Sequence, residues 1–241
     1  MKKIPRSSEL LWLFGVLFVA LGVSLCGKAD LGVSMIAAPA FIVSEALASL
    51  SSFFSVGVTE YLIQGLLLIL LCLVLRRFDP RFLYAFAVAV IYGYTLDLFL
   101  WIFSGLTLNA VWLRWVFLLL GDTITALGVA CFFRTLWPLQ VYELFVAEVA
   151  ASFRLPIAKV KLGFDLSLLS LSLLLAFTLF WDVADFDWGT IGATCFHSIG
   201  LGTLVTTAIN SPLIAFWGKF LDKTFDKAPR FPRLAAHFKR G

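Results

Sequence analysis

The sequence contains little charge, and this shortage excludes most classes of soluble protein. Asp, Glu, Lys and Arg make up only 14% of the 241 residues, whereas hydrophobic residues make up 61%. A soluble domain is typically about 25% charged and about 45–50% apolar. The mean hydropathy of +0.97 points the same way. The composition excludes a disordered chain, a nucleic-acid-binding protein and an ordinary soluble enzyme. It indicates an integral membrane protein that has the lipid bilayer as a partner.

Cysteine and histidine are also scarce, and this argues against metal and redox chemistry. The cysteines lie singly in apolar stretches, without a CxxC pair or a histidine at ligand spacing; they are Cys26, Cys72, Cys131 and Cys195. Such cysteines are typically small buried hydrophobic side chains. The sequence also lacks the HExxH and GxSxG motifs. We therefore expect no metal, no cofactor and no catalytic residues, and we expect that the protein is not an enzyme.

Long hydrophobic runs occupy most of the chain. A membrane-spanning helix needs about 20 mostly apolar residues. Eight segments meet or approach that length, at about residues 9–27, 33–50, 57–75, 82–104, 112–133, 138–153, 160–181 and 188–208. The sequence therefore predicts an all-α, polytopic transmembrane helical bundle. We expect one membrane domain over residues 1–218 and a basic cytoplasmic tail over residues 219–241.

Segments 33–50 and 138–153 are more polar than a helix that faces lipid. Both contain proline, and their acidic residues are Glu45 in the first and Glu143 and Glu148 in the second. They are either full spans buried inside the bundle or re-entrant helices, which occur only where protein or water covers their backbone. Two topologies follow: eight full spans, or six spans with two re-entrant or broken helices.

The distribution of basic residues favours the re-entrant topology. With the N-terminus in the cytoplasm, eight full spans leave five basic residues outside, whereas the re-entrant arrangement leaves only Lys28 and Arg114 there. Basic residues concentrate on the cytoplasmic side of membranes. We therefore expect six crossings with both termini in the cytoplasm, and eight full spans are the alternative.

The two halves of the chain, about residues 9–104 and 112–208, share one order of features. The motif ALGV at 20–23 recurs 106 residues later, at 126–129. Each half then consists of one span, one polar segment and two further spans. If the polar segments do not cross, the halves have opposite orientations, as in inverted-repeat transporters.

Several short motifs give the chain a family resemblance. They are LGVS at 21–24, ADLGVS at 29–34, KVKLGFD at 159–165 and IGLGT at 199–203. With these motifs the chain resembles the YitT/YczE/YyaS group of bacterial integral membrane proteins, from about Leu17 to about Ile214. The match includes a Lys-x-x-x-Asp pattern at Lys161 and Asp165, but Met35 replaces the proline of the usual LGxSP motif. The resemblance implies a bacterial inner-membrane protein and little firm biochemistry.

Ionisable residues at membrane depth are the strongest functional signal. Asp or Lys at the centre of a span costs roughly 2.5–3.5 kcal/mol on insertion scales, so such residues usually face the bundle interior or a water-filled cavity. Lys161 and Asp165, spaced i and i+4, share a helix face and can pair. They either line a pathway or simply neutralise each other near the interface. We predict that the pathway or substrate site is lined by Lys161, Asp165, Glu143, Glu148, Glu45, Arg134, Lys28, Ser34 and Gln140.

Three further acids, Glu60, Asp97 and Asp122, lie in otherwise apolar spans. Apolar surroundings disfavour the charged form of a carboxyl group. These residues are therefore candidates for proton coupling, although a neutral hydrogen-bonded acid fits the same pattern. Lys28 and Arg134 end the first span of each half, where a basic side chain either reaches the interface or forms a gate or an anion contact.

The sequence therefore predicts a secondary transporter or channel for a small polar or charged solute in a bacterial inner membrane. The alternative is a non-transporting membrane regulator or assembly partner, whose basic tail docks a cytoplasmic protein. A simple electrostatic anchor to anionic lipid also fits that tail. The sequence leaves open the substrate, the coupling ion and whether the protein forms a homo-oligomer.

Overall fold

The computed structural model describes residues 8–180, 197–226 and 228–231. Within these residues the helices are α1 (Ser8–Ala29), α2 (Ala38–Leu47), α3 (Val56–Leu75), α4 (Phe82–Ile102), α5 (Val111–Phe132), α6 (Val141–Ser152), α7 (Ile157–Leu179) and α8 (Leu201–Thr224). The described part of the chain contains no β-strand, so the predicted all-α class is confirmed. Helices α1, α3, α4, α5 and α7 are each long and apolar enough to cross a membrane. The chain is a multi-pass membrane helical bundle.

Local sequence signals set the ends of several helices. Ser55 precedes α3, and its hydroxyl oxygen accepts a hydrogen bond from the Val58 N–H at 3.2 Å. A serine at this position satisfies one of the N–H groups that a helix start leaves without a partner. At the other end of α3, Arg76 adopts the left-handed conformation with a φ of 50°, which stops the helix. Pro39 lies in the first turn of α2, where its missing N–H costs nothing.

Helices α2 and α6 are too short to cross a membrane. They contain 10 and 12 residues, which correspond to roughly 15 Å and 18 Å at 1.5 Å per residue, against about 30 Å for the apolar core of a bilayer. Both lie inside the polar segments predicted at 33–50 and 138–153. The first predicted segment is longer than the helix, because residues 33–37 precede it as a loop that ends in a turn at 35–37, and α2 begins at Ala38.

Helices α1 and α5 pack closely and run antiparallel. Two pairs of glycines make the close approach: Gly22 lies against Gly121, and Gly128 lies against Gly15. The later residue of α1 therefore contacts the earlier residue of α5. Each full crossing reverses the chain direction, so full crossings by all of α1 to α4 would make α1 and α5 parallel. The observed antiparallel packing instead fits an α2 that enters and leaves on one side.

Two further long helices, α4 and α8, run parallel to α1 and α5 respectively. Helix α4 runs parallel to α1, because Lys28 at the end of α1 reaches the carbonyl oxygen of Ser104 just after α4. Helix α8 runs parallel to α5, and Arg134 just after α5 pairs with Asp222 near the end of α8. The start of α1 and the end of α8 therefore lie at one end of the bundle. We call this the termini end and the opposite one the far end.

The last helix differs from its prediction. A span was expected at 188–208, but α8 runs from Leu201 to Thr224, and residues 188–196 lie outside the described residues. The hydropathy pattern failed because the later part of α8 carries polar groups that pair inside the bundle rather than face water, such as Asn210 with Asp122. The predicted basic tail is consequently helical from residue 219 to 224, and residues 227 and 232–241 lie outside the described residues.

Candidate functional site

A cavity of about 70 Å³ lies inside the bundle, where the two short helices begin. It has room for several water molecules or one small solute. All eight helices contribute to its wall, either directly or through their N-cap residues. Its polar and ionisable side chains are Ser34, Glu60, Tyr92, Thr125, Gln140, Tyr142, Glu143, Lys161, Asp165, Thr206, Thr207, Asn210 and Ser211.

The N-terminal ends of α2 and α6 both face this cavity. The residues that precede the two helices, Ala37 and Gln140, are part of its wall. Helix α3 holds both helices in place: the Thr59 hydroxyl donates to the Ala40 carbonyl oxygen at 3.0 Å, and the Val141 N–H donates to Gln64 Oε1 at 3.3 Å. Helix α2 then runs back to the far end, where the loop after α1 begins. Helix α6 runs back to the termini end, where the loop after α5 begins.

The loop before α2 is fixed by two backbone hydrogen bonds to the start of α8. The Val33 N–H donates to the Ser198 carbonyl oxygen at 2.9 Å, and the Gly202 N–H donates to the Leu31 carbonyl oxygen at 2.8 Å. Gly32 lies between the two bonds with a φ of 102°, a conformation that other residues rarely adopt. Two of the sequence motifs behind the family resemblance, ADLGVS and IGLGT, thus contact each other.

Two glutamates place unpartnered carboxyl oxygens in the wall. Glu60 on α3 is 1% exposed and Glu143 in the first turn of α6 is 9% exposed. Among the described residues no donor meets hydrogen-bond geometry to Oε2 of either one, although the Tyr142 hydroxyl and the Gln64 amide lie close to the Glu60 carboxyl group. A buried polar group without a partner costs about 1–3 kcal/mol. Both carboxyl groups therefore lie in the cavity wall with one buried oxygen that lacks a well-placed donor.

Lys161 and Asp165 form an ion pair in the same wall. Lys161 Nζ lies 2.9 Å from Asp165 Oδ2 and 3.2 Å from Oδ1. The pair is partly buried, with side-chain exposures of 21% and 13%. The two sequence interpretations of these residues therefore coexist, because the charges neutralise each other and also line the cavity.

Asp122 lies beside the cavity rather than in its wall. Its Oδ1 accepts a hydrogen bond from the Asn210 amide at 2.8 Å, and Asn210 is itself a wall residue. Its Oδ2 accepts no hydrogen bond from the described residues. Asp122 therefore positions Asn210 and keeps one buried acceptor free behind it.

Asp97, a candidate for proton coupling in the sequence, forms hydrogen bonds at the start of α3. One carboxyl oxygen accepts the Ser55 hydroxyl at 2.6 Å, and the other accepts the Gly57 N–H at 2.7 Å. Both partners lie at the start of α3. Asp97 on α4 thus caps α3, and it does not belong to the cavity wall.

Two predicted pathway residues lie at the termini end, away from the cavity. Glu148 pairs with Arg77 at 2.9 Å, because the 140° between Glu143 and Glu148 on a helix turns them to different sides. Arg134 donates from two nitrogens to the two carboxylate oxygens of Asp222, at 3.1 and 3.0 Å. This guanidinium is therefore occupied by a carboxylate and does not contact the cavity.

The other two predicted pathway residues outside the wall lie at the far end. Lys28 donates to the Ser104 carbonyl oxygen at 3.3 Å, consistent with a side chain that reaches the membrane interface. Glu45, near the end of α2, lies 2.9 Å from His197 Nδ1. Neither residue reaches the cavity. Lys28 lies in the last turn of α1 and Glu45 lies near the end of α2, and both of these helix ends are at the far end.

Sequence reasoning missed the aromatic groups of the wall and the Asn210 amide. Tyr92, Tyr142 and Phe164 face the cavity, and so does Asn210. The run Asn210-Ser211-Pro212 was the available signal, because three such residues are unusual inside an apolar helix. The tyrosines gave no signal, since aromatic residues of membrane proteins are also common at the interfaces.

One family model covers most of the chain. A model described as "Family of unknown function (DUF6198)" matches residues 6–219. No curated protein and no solved structure matches the chain. The matched range contains the whole cavity wall.

Proposed function

The chain belongs to the DUF6198 family of unknown function, and we propose that it is a secondary transporter or channel for a small polar or charged solute. The observation that carries this proposal is the cavity between the starts of α2 and α6, with the unpartnered oxygens of Glu60 and Glu143 in its wall. Buried ionisable groups in membrane proteins are costly and typically mark the path of an ion or solute.

We propose that the two halves form an inverted repeat, which fits the same function. Both halves have the order long, short, long, long: α1 to α4 and then α5 to α8. The contact between α1 and α5 is two-fold related, because Gly22 packs on Gly121 just as Gly128 packs on Gly15, and each of these glycines lies 106 residues from its equivalent. In inverted-repeat transporters, one half rocks against the other around a central site.

Ion pairs that join the two halves at both ends of the bundle support a gated pathway. At the termini end, Arg77 after α3 pairs with Glu148 of α6 at 2.9 Å. At the far end, Asp30 after α1 pairs with Arg114 of α5 at 3.2 Å. Exposed pairs of this kind contribute about 0–1 kcal/mol, so they break and reform at little cost. We propose that each pair opens when the cavity opens to its side.

We propose that the termini end faces the cytoplasm of a bacterium. Arg76, Arg77, Arg134, Arg154 and Lys159 all follow or begin helices at that end, which is the side that basic residues prefer. The resemblance to the YitT/YczE/YyaS group supports placement in the bacterial inner membrane.

Solute flux into liposomes tests the proposed function. The purified chain is reconstituted, and the permeability to glycerol, ethylammonium and propionate is followed by stopped-flow light scattering, with and without an imposed proton gradient. We expect a protein-dependent flux of at least one solute that Glu60→Gln and Glu143→Gln alter. Asp79→Asn is the matched control, because this carboxylate lies in the loop between α3 and α4 and pairs with its neighbour Arg81. Flux equal to that of empty liposomes under all conditions would contradict the proposal.

A further inference from the structure

The ionisable side chains that face the cavity are mostly acidic. The acidic wall residues are Glu60 from α3, Glu143 from α6 and Asp165 from α7, and the basic one is Lys161 from α7. Lys161 pairs with Asp165 at 2.9 Å and also interacts electrostatically with Glu143, so the wall holds one basic side chain for three acidic ones. The site therefore needs hydrogen-bond donors or positive charge from its occupant.

Both glutamates of the wall keep one carboxyl oxygen buried and without a hydrogen bond from the described residues, Glu60 Oε2 and Glu143 Oε2. The two side chains are 1% and 9% exposed. Since an ammonium group carries up to three donors and a positive charge, it can interact with two carboxyl groups of one wall at once. Hydrogen bonds to charged groups are the stronger ones, at about 1.5–3 kcal/mol each.

Aromatic and aliphatic side chains form the rest of the wall. Tyr92, Tyr142 and Phe164 line the cavity, and the Tyr142 and Phe164 rings lie 6.2 Å apart, tilted by 57°. Aromatic faces attract organic cations, and aromatic residues around a quaternary ammonium group are a recurrent arrangement. Aliphatic wall residues such as Val146 and Ile214 suit alkyl substituents, which a bare metal ion does not have.

Other ligand classes fit less well. Within the described ranges no group of three or more His, Cys, Asp or Glu side chains could hold a metal ion. The start of α2 offers no free donor to an anion, because the N–H groups of Ala37 and Ala38 both bond to the Ser34 carbonyl oxygen. At the start of α6, the Val141 N–H bonds to Gln64, and Glu143 already supplies negative charge.

We propose that the cavity binds a small organic cation, a protonated amine or a quaternary ammonium compound, between Glu60 and Glu143 against the ring of Tyr142. This inference rests on the proposed function, because it assigns a substrate class to the same site. Lys161 and Asp165 close one side of the site as a neutral pair.

Thermal unfolding with probes of one shape and different charge tests the cation site. Tetramethylammonium, tert-butanol and pivalate have the same branched shape and carry positive, zero and negative charge. Methylammonium and ethylammonium extend the cation series to smaller sizes. All are added to the purified full chain at constant ionic strength. We expect a saturable rise of the melting temperature with at least one of the three cations and none with tert-butanol or pivalate, because a ligand that binds only the folded state stabilises it.

Variants locate the binding site. Glu60→Gln and Glu143→Gln keep the shape of each side chain and remove its charge, and we expect each to weaken cation binding at least about tenfold. Asp79→Asn is expected to bind the cation as the unchanged protein does. The melting temperature of each variant without ligand shows that it is folded, and Glu143→Asp provides a second variant that retains the charge and should bind more tightly than Glu143→Gln.

Four outcomes would overturn the cation site: stabilisation by pivalate, an equal effect of tert-butanol, cation binding unchanged in both glutamine variants, or no effect of any cation. None of these affects the proposed function, which fails only if liposomes show no flux of any solute. A protein that carries propionate or glycerol would thus retain the transport function and lose the cation site.

Discussion

The contact between α1 and α5 should be intolerant of even one added methyl group. A Cβ atom at Gly22 would lie 2.6 Å from the Thr125 nitrogen and still closer to the Gly121 carbonyl oxygen. At Gly128 it would lie 2.7 Å from the Val19 nitrogen and 3.0 Å from the Gly15 carbonyl oxygen. Optimal separations of non-bonded carbon atoms are about 3.5–4.0 Å. The atoms in the way are mostly backbone, so relief requires that the helices move apart.

We therefore expect Gly22→Ala and Gly128→Ala each to destabilise the protein by about 1–3 kcal/mol, the usual cost of overpacking a close contact. The measurement is unfolding of the purified protein in detergent by heat or by added denaturant. Gly163→Ala is the matched control, because a Cβ at this position in α7 would meet nothing within 4 Å. There alanine should be neutral or stabilise the helix by up to about 1 kcal/mol.

The two interface variants should lose similar amounts of stability, and both should lose more than the Gly163→Ala control. The reason is that the two sites are related by the two-fold arrangement of α1 and α5. A Gly22→Ala protein as stable as the unchanged one would refute the close packing. A large loss at Gly22 with none at Gly128 would refute the two-fold relation between the halves.

Three further predictions test topology, capping and the chain end. Ser51 and Leu155 are both exposed, and they lie at opposite ends of the bundle. A cysteine introduced at each position should react with an impermeant thiol reagent from opposite sides of the membrane. Reaction of both from the cytoplasm would contradict the re-entrant arrangement. Asp97→Ala should lower the stability by about 1.5–3 kcal/mol, because the start of α3 loses two hydrogen bonds to a charged acceptor; an unchanged unfolding transition would refute the cap. Removal of residues 232–241 should leave solute flux intact, and loss of flux in a truncated protein that still folds would contradict this expectation.

The sequence predicted the long helices of the bundle because the free energy of placing a segment in lipid is a sum over the residues of that segment. The apolar runs that became α1, α3, α4, α5 and α7 were predicted within a few residues of their observed bounds. The polar segments were recognised for the same reason, since Glu45 or Glu143 in a lipid-facing helix would be costly. The last helix was misplaced because hydropathy cannot show that Asn210 and Asp222 find partners on and beyond α5.

Only part of the candidate site could be predicted from the sequence. Lys161, Asp165, Glu143, Glu60, Ser34 and Gln140 were chosen for their charge or polarity at membrane depth, and the structure brings these six into one wall. The same criterion selected Asp97, Glu148 and Arg134, which instead cap a helix or join helices at the bundle end. Polarity indicates that a side chain needs a partner, but it does not tell whether the partner belongs to the protein or to a solute.

The sequence by itself determined that this chain lies in a membrane, that its secondary structure is helical and that two of its polar segments are unlike the rest. These properties follow from the free energy of transferring each segment from water to lipid, which depends on composition alone. Only the tertiary structure decided which charges meet. The antiparallel contact of α1 with α5 and the positions of α2 and α6 bring Glu60 and Glu143 into the wall of one cavity. That arrangement depends on contacts between residues far apart in the chain, and it separates the acids of a candidate binding site from those that hold the bundle together.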